Sequence, residues 1–131
     1  MKYLLLSFFA TIVLTACGQT KDPDKKQDTQ VSSSIAKNVN ASEAMAIMAK
    51  QGVQILDVRT AEETSHGMIK GAVNFDFHST DFIQKASSLD KNRPVIVYCA
   101  VGGRSAKAMK QLQEAGFKEI YNVSQGYDSI K

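Results

Sequence analysis

Cys99-Ala100-Val101-Gly102-Gly103-Arg104-Ser105 places a thiol, two adjacent glycines, a guanidinium and a hydroxyl in one short stretch. Glycine reaches backbone conformations closed to other residues, so Gly102 and Gly103 let successive N–H groups turn toward one point. Such a turn is a nest for an anion. A helix starting near Gly103 or Arg104 adds the positive end of its dipole at the same place. A cysteine in that field is expected to have a lowered pKa and to act as a thiolate nucleophile. Arg104 brings a planar fork of donors suited to sulfonate or phosphate oxygens. Ser105 caps or lines the helix start. Ala100 and Val101 add no charge to the loop.

The elements around the loop must hold it in place. Four apolar or aromatic residues, Val95-Ile96-Val97-Tyr98, lead straight into Cys99. They show no polar alternation, so they fit a strand covered on both faces. Beyond the loop, Ser105 to Gly116 reads as a helix with Ala106, Met109 and Leu112 inward and Gly116 as its stop. Upstream, Asn40 and Glu43 form a capping box for a helix whose Ala44, Ile47 and Met48 share a face. Met45 and Met48 read as core filler. Val53 to Val58 is a short strand ending beside Asp57, and Thr60 opens another helix. Gly71 to Phe77 is a brief strand, Ser79 or Thr80 caps a helix to about Leu89, and Phe117 to Val123 supplies the last strand. Strands alternate with helices throughout. The expected fold is therefore α/β, three layers with a central parallel sheet flanked by helices. Sites in such sheets lie beyond the carboxyl ends of the strands, where Cys99 and Asp57 both fall.

Three segments together resemble a single-domain rhodanese, over about Val39 to Tyr127. "ILDVRTAEE" resembles that family's strand with Asp-Val-Arg and an acidic helix start. "GMIKGAVNF" resembles its Gly-His-Ile-Pro-Gly-Ala-x-Asn segment. "VYCAVGGRSA" resembles its active-site loop, with glycine three positions and arginine five positions after the cysteine. The resemblance implies a sulfurtransferase that needs no cofactor and no metal. Cys99 would take sulfane sulfur from a small donor anion such as thiosulfate, hold it as a persulfide among the loop amides, and pass it to a thiol or thioredoxin-like acceptor. By the same analogy Arg104 orients the donor, while Asp57 and Arg59 support the site as a scaffold ion pair. Met68-Ile69-Lys70 replaces the family's His-Ile-Pro, and His66, two positions earlier, is not its equivalent. His66 and His78 read as surface residues. "NVSQGYDSIK" resembles the closing Gly-Gly-x-x-x-Trp segment, but Gln125 stands at one glycine and there is no tryptophan. A shortened closing helix and an altered pocket wall are expected.

Two other functions compete. A phosphatase or arsenate reductase of related fold places five residues between cysteine and arginine, whereas four separate Cys99 from Arg104. The smaller ring favours sulfur. The other is a membrane-tethered binding or redox-sensing module without turnover, because fold does not dictate function.

The N-terminus suggests where this happens. Lys2 precedes an apolar run of about a dozen residues, short of the ~20 that span a bilayer, as in a signal peptide. Leu14-Thr15-Ala16-Cys17 resembles the lipobox of bacterial lipoproteins. Residues 1–16 are thus expected to be removed and Cys17 to carry lipid, anchoring an exported protein to a membrane without spanning it. Residues 17–34 are polar, of mixed charge and poor in large apolar groups, as in a flexible tether. Residues 35–131 form one small domain, long enough for a real core. The chain has two cysteines. With Cys17 lipidated, Cys99 has no intrachain partner, which suggests a free reactive thiol or an intermolecular bridge. The spacing rules out a clustered-cysteine metal site. A net charge of +3 without a basic stripe gives no reason to expect nucleic acid.

Overall fold

Val95, Ile96, Val97 and Tyr98 are all buried in the computed structural model, which describes residues 33–131. The expectations for the signal peptide, Cys17 and nearly all of the tether lie outside the described residues. In chain order the elements are β1 (Ile35–Val39), α1 (Ala41–Met48), β2 (Gln54–Asp57), α2 (Ala61–Ser65), β3 (Ala72–Asn74), α3 (Phe82–Ala86), β4 (Val95–Tyr98), α4 (Gly103–Glu114) and β5 (Glu119–Val123). A 3-10 turn, Tyr127–Ser129, follows. The five strands form one parallel sheet in the order β1-β5-β4-β2-β3.

β4 is the middle strand, and its side chains alternate between two cores as the pleat requires. Val95 and Val97 join Leu56, Phe82, Ala86, Ala108, Leu112, Phe117 and Ile120, where α3 and α4 cover the sheet. Ile96 and Tyr98 join Val39, Ala44, Val123 and Ile130, on the side of α1 and the C-terminal turn. Burial on both faces is why the strand reads as an unbroken apolar run. The three-layer parallel architecture is the one the pattern predicts.

Several local expectations shift. β1 has no counterpart among the expected strands. Its first four residues are exposed, and it joins the sheet through parallel pairing with β5. α3 starts at Phe82 after Asp81, not after Ser79 or Thr80. Its Phe82 N–H is bonded to the Ser79 carbonyl in a preceding turn, and the Ser79 hydroxyl donates to Asp81. The helix also stops at Ala86, where the Ser87 and Ser88 hydroxyls donate back to the Ile83 and Lys85 carbonyls. In α4 the buried face is Ser105, Ala108 and Leu112, with Met109 beside it. Ala106 is only half-buried, because the helix phase is set by Ser105 turning inward. Met45 is 51% exposed, so the inner face of α1 is carried by Ala41, Ala44, Ile47 and Met48.

The closing segment contributes to the second core and to the start of α1. Ile130, at the position of the resembled motif's tryptophan, is 7% exposed and fills the second core. Gln125, at the position of its first glycine, accepts the Ala41 N–H at 2.9 Å through its side chain. That satisfies an otherwise unpaired donor at the start of α1, beside the Asn40–Glu43 capping box.

Candidate active site

Cys99 leaves the C-terminal end of β4 with no exposed surface of its own. Its Sγ accepts the Gly102 N–H at 3.1 Å and faces the Ser105 hydroxyl at 3.4 Å. The same hydroxyl lies 3.1 Å from the Gly102 carbonyl, so its one proton serves two acceptors. Burial is the largest single influence on the thiol and opposes ionisation. The Ser105 hydroxyl and the backbone amides of Ser105, Val101 and Gly102 together outweigh it, and the Cys99 pKa is lowered.

Gly102 is needed for this geometry and Gly103 is not. Gly102 has φ +87°, and a Cβ there would sit 2.2 Å from the Ser124 carbonyl oxygen. Gly103 is the first residue of α4, with open space where a Cβ would be. Val101 forms the loop tip, 80% exposed. Ala100 lines an open cleft of about 350 Å³ together with Arg59, Glu63, His66, Tyr127, Asp128 and Lys131.

Arg104 is committed to a partner. Its Nη1 donates to Glu63 Oε2 at 2.7 Å and its Nη2 to Glu63 Oε1 at 2.6 Å. This two-pronged bond joins the start of α4 to α2. Arg104 holds the Glu63 carboxyl down to about 2, against the raising effect of burial, with the Thr60 N–H and hydroxyl assisting. In return Glu63 raises the Arg104 pKa, and the nearby Cys99 thiolate adds to this. The fixed cation expected from the sequence is therefore a shared ion pair.

Asp57 and Arg59 form a buried pair below the loop. Arg59 Nη2 meets Asp57 Oδ2 at 2.7 Å, Nε lies 3.0 Å from both carboxylate oxygens, and the Arg59 N–H donates to Oδ1 at 2.9 Å. Nη2 also donates to the Gly67 carbonyl at 2.8 Å. The guanidinium lies 3.8 Å from the centre of the Tyr127 ring, and Tyr127 stacks on Tyr98 with ring centres 5.9 Å apart. The Tyr127 N–H donates to the Cys99 carbonyl at 2.8 Å. So the turn after β5 fastens directly to the nucleophile's backbone.

The structure thus brings Cys99, Gly102, Arg104 and Ser105 together, with the Asp57–Arg59 pair beneath them; Cys17 is outside the described residues. Sequence reading missed Glu63, Tyr127, Asp128 and Lys131. The Glu63 signal was present in "RTAEE" but was absorbed by its other job, capping α2 through the Thr60 N–H at 2.9 Å. His66 is exposed, as expected, yet belongs to the cleft.

Known proteins are similar to this chain. A model of the family described as rhodanese-like domain matches residues 40–131. A thiosulfate sulfurtransferase, GlpE, of Pseudomonas putida is 32% identical over 93 residues, covering 70% of this chain and 82% of the relative. A tRNA uridine(34) hydroxylase of Cytophaga hutchinsonii is 34% identical over 93 residues, covering 69% of this chain but 30% of that enzyme. Among solved structures, a rhodanese-like domain protein of Staphylococcus aureus superposes with a TM-score of 0.64 at 31% identity, covering 72% of this chain and 91% of that one.

Proposed function

This chain belongs to the rhodanese-like domain family, and from that premise we propose that it is a sulfurtransferase working through a Cys99 persulfide. One observation carries the reading: a buried thiol whose pKa is lowered by the Gly102 amide and the Ser105 hydroxyl at its Sγ. The Cys99 thiolate attacks the outer sulfur of a donor, and the donor's S–S or S–sulfonate bond breaks with its electron pair leaving on the carrier. The new terminal sulfur is then held among the loop amides. An acceptor thiolate attacks that sulfur, and Cys99 departs as the thiolate it was. No net oxidation of the protein occurs. Asp57 and Arg59 act as positioning residues that brace the loop through Tyr127.

Four residues separate Cys99 from Arg104, one fewer than in the phosphatase-type loop, which supports sulfur over phosphate chemistry. Arg104 itself enters the site as half of an ion pair with Glu63. The complete burial of Cys99 favours one other function, a tethered binding or redox-sensing module in which the thiol does not turn over.

The same proposal places the domain outside the cytoplasm, on a lipid at Cys17, with a thioredoxin-like dithiol or an exported small thiol as acceptor. Intact mass of the full chain purified from the membranes of its cells tests both parts. The expected chain lacks residues 1–16 and carries a diacylglyceryl thioether. With a sulfane-sulfur donor it gains one sulfur, which Cys99→Ser abolishes and cyanide or thiol removes. An unlipidated, unprocessed chain removes the anchor from the proposal. A chain that takes up no sulfur from thiosulfate, hydropersulfide or polysulfide puts the binding module first.

A further inference from the structure

The charges around the cleft come in opposed pairs. Among the described residues, each lysine and arginine that lines the cleft has a carboxylate partner. Arg59 is held by buried Asp57, and Lys131 Nζ meets Asp128 Oδ1 at 2.7 Å. Arg104, next to the thiol, is held by Glu63 through both prongs. Two of these carboxylates, Glu63 and Asp128, themselves line the cleft. The rest of the wall includes Ala100 and the Tyr127 ring, and the loop tip is Val101.

A compact dianion such as thiosulfate would enter this cleft against two carboxylates. The cations within reach, Lys131 and Arg104, already share their charge with Asp128 and Glu63. The Glu63 charge persists, because Glu63 accepts two short bonds from Arg104 and stays ionised down to about pH 2. A donor that carries both signs of charge offers each pair a complementary group, so its ammonium offsets the approach of its carboxylate to Asp128 and Glu63. Its ammonium would find Glu63 or Asp128, its carboxylate would find Lys131, and a short apolar arm would pass Ala100 and Tyr127. Complementary charge selects between ligands more than it adds raw affinity.

Resting on the sulfurtransferase reading above, we propose that the preferred sulfur donor is a zwitterionic amino-acid hydropersulfide, of the cysteine hydropersulfide class, and that Glu63 and Asp128 set this preference against small dianions. The step balances as thiolate exchange. Cys99–S⁻ and R–S–S–H give Cys99–S–S–H and R–S⁻. One S–S bond breaks, one forms, the proton stays on the transferred sulfur, and the electron pair leaves on the carrier thiolate.

The test is single-turnover loading of Cys99 in the full chain, followed by intact mass, with cysteine hydropersulfide and with thiosulfate. Each rate is divided by that of the same donor with N-acetylcysteine, which removes intrinsic donor reactivity. The expected normalised preference for the hydropersulfide is about tenfold. Glu63→Gln, which keeps a capping group for α2, and Asp128→Asn, at an exposed site outside both cores, should each speed thiosulfate loading and lower that ratio. Thiosulfate loading as fast as hydropersulfide in the native chain overturns the inference while leaving the sulfurtransferase reading intact. So does a ratio that neither substitution moves. Loading by neither donor overturns the sulfurtransferase reading, and the inference with it.

Discussion

The Ser105 hydroxyl has one proton and two candidate acceptors, Cys99 Sγ at 3.4 Å and the Gly102 carbonyl at 3.1 Å. When Cys99 ionises, the charged sulfur becomes the stronger acceptor, and the proton swings to it. Ser105 thereby lowers the thiol pKa most when it matters, against the raising effect of burial. A lowered pKa means that the thiolate, and with it alkylation, is retained to a lower pH than in an ordinary thiol. Reactivity is lost only as pH falls through the lowered value. Ser105→Ala is expected to move the inflection of the Cys99 alkylation profile upward and to slow alkylation several-fold at about pH 6, with little change at about pH 10. A profile that does not move would assign the lowering to the Gly102, Val101 and Ser105 amides alone. The stability cost is expected to be about 1 kcal/mol, the net worth of one hydrogen bond, so denaturant midpoints separate ionisation from unfolding.

At the scale of elements, the site is a loop pressed between two glycines of different origin. Gly102 lies against the Ser124 carbonyl, and Gly126 lies against the loop itself. A Cβ on Gly126 would sit 2.0 Å from the Ala100 carbonyl oxygen and 2.7 Å from the Val101 nitrogen, at φ +74°. Gly116 has a comparable φ of +94° with nothing within 4 Å. Gly116→Ala is therefore expected to cost only the left-handed strain, about 1 kcal/mol. Gly126→Ala should cost clearly more in urea unfolding and also slow Cys99 alkylation, because the loop must move. Equal costs would mean that the turn yields freely. Gly126 was visible in the sequence through its resemblance to a closing motif, and Gly102 through its distance from Cys99. The partners they press on were not, since those contacts join the 99–102 and 124–127 segments through backbone atoms that carry no side-chain signature. β1 was illegible for a related reason. Ile35-Ala36-Lys37-Asn38 is exposed, so its place is set by backbone pairing with β5 and not by an apolar pattern. β4, α1 and α4 were legible because burial on one or both faces writes a period into the sequence. Glu63 was half legible. Its capping role is local, and its Arg104 bond spans 41 residues.

Across the whole molecule, the sheet places Cys99 at the carboxyl end of its middle strand, and both cores support that strand from either face. α2 stands apart from this arrangement, since it contains no buried residue. Its tie to the rest of the site is the Glu63–Arg104 pair, which spans from α2 to the start of α4. Stability at low pH should therefore report on the mouth of the site as well as on the cores. The Glu63 carboxyl is depressed from 4.5 to about 2, chiefly by Arg104. A group depressed in the folded state stabilises it above the unfolded value, and that contribution is lost as pH falls from about 4.5 through about 2. The pair is partly exposed, at 23% for Arg104 and 33% for Glu63, so solvent screening reduces its worth to roughly 1–2 kcal/mol. Other lowered carboxyls, Glu43, Asp81 and Asp128, also titrate in acid, which makes a single acid-unfolding curve ambiguous. The difference between the native chain and Glu63→Gln cancels them. Urea midpoints of the two are expected to differ most at neutral pH and to converge as pH falls below about 4.5, because the protonated Glu63 carboxyl and the glutamine amide that replaces it are then both neutral partners for Arg104. A difference that persists unchanged into acid would show that α2 is not held to the active-site loop by charge.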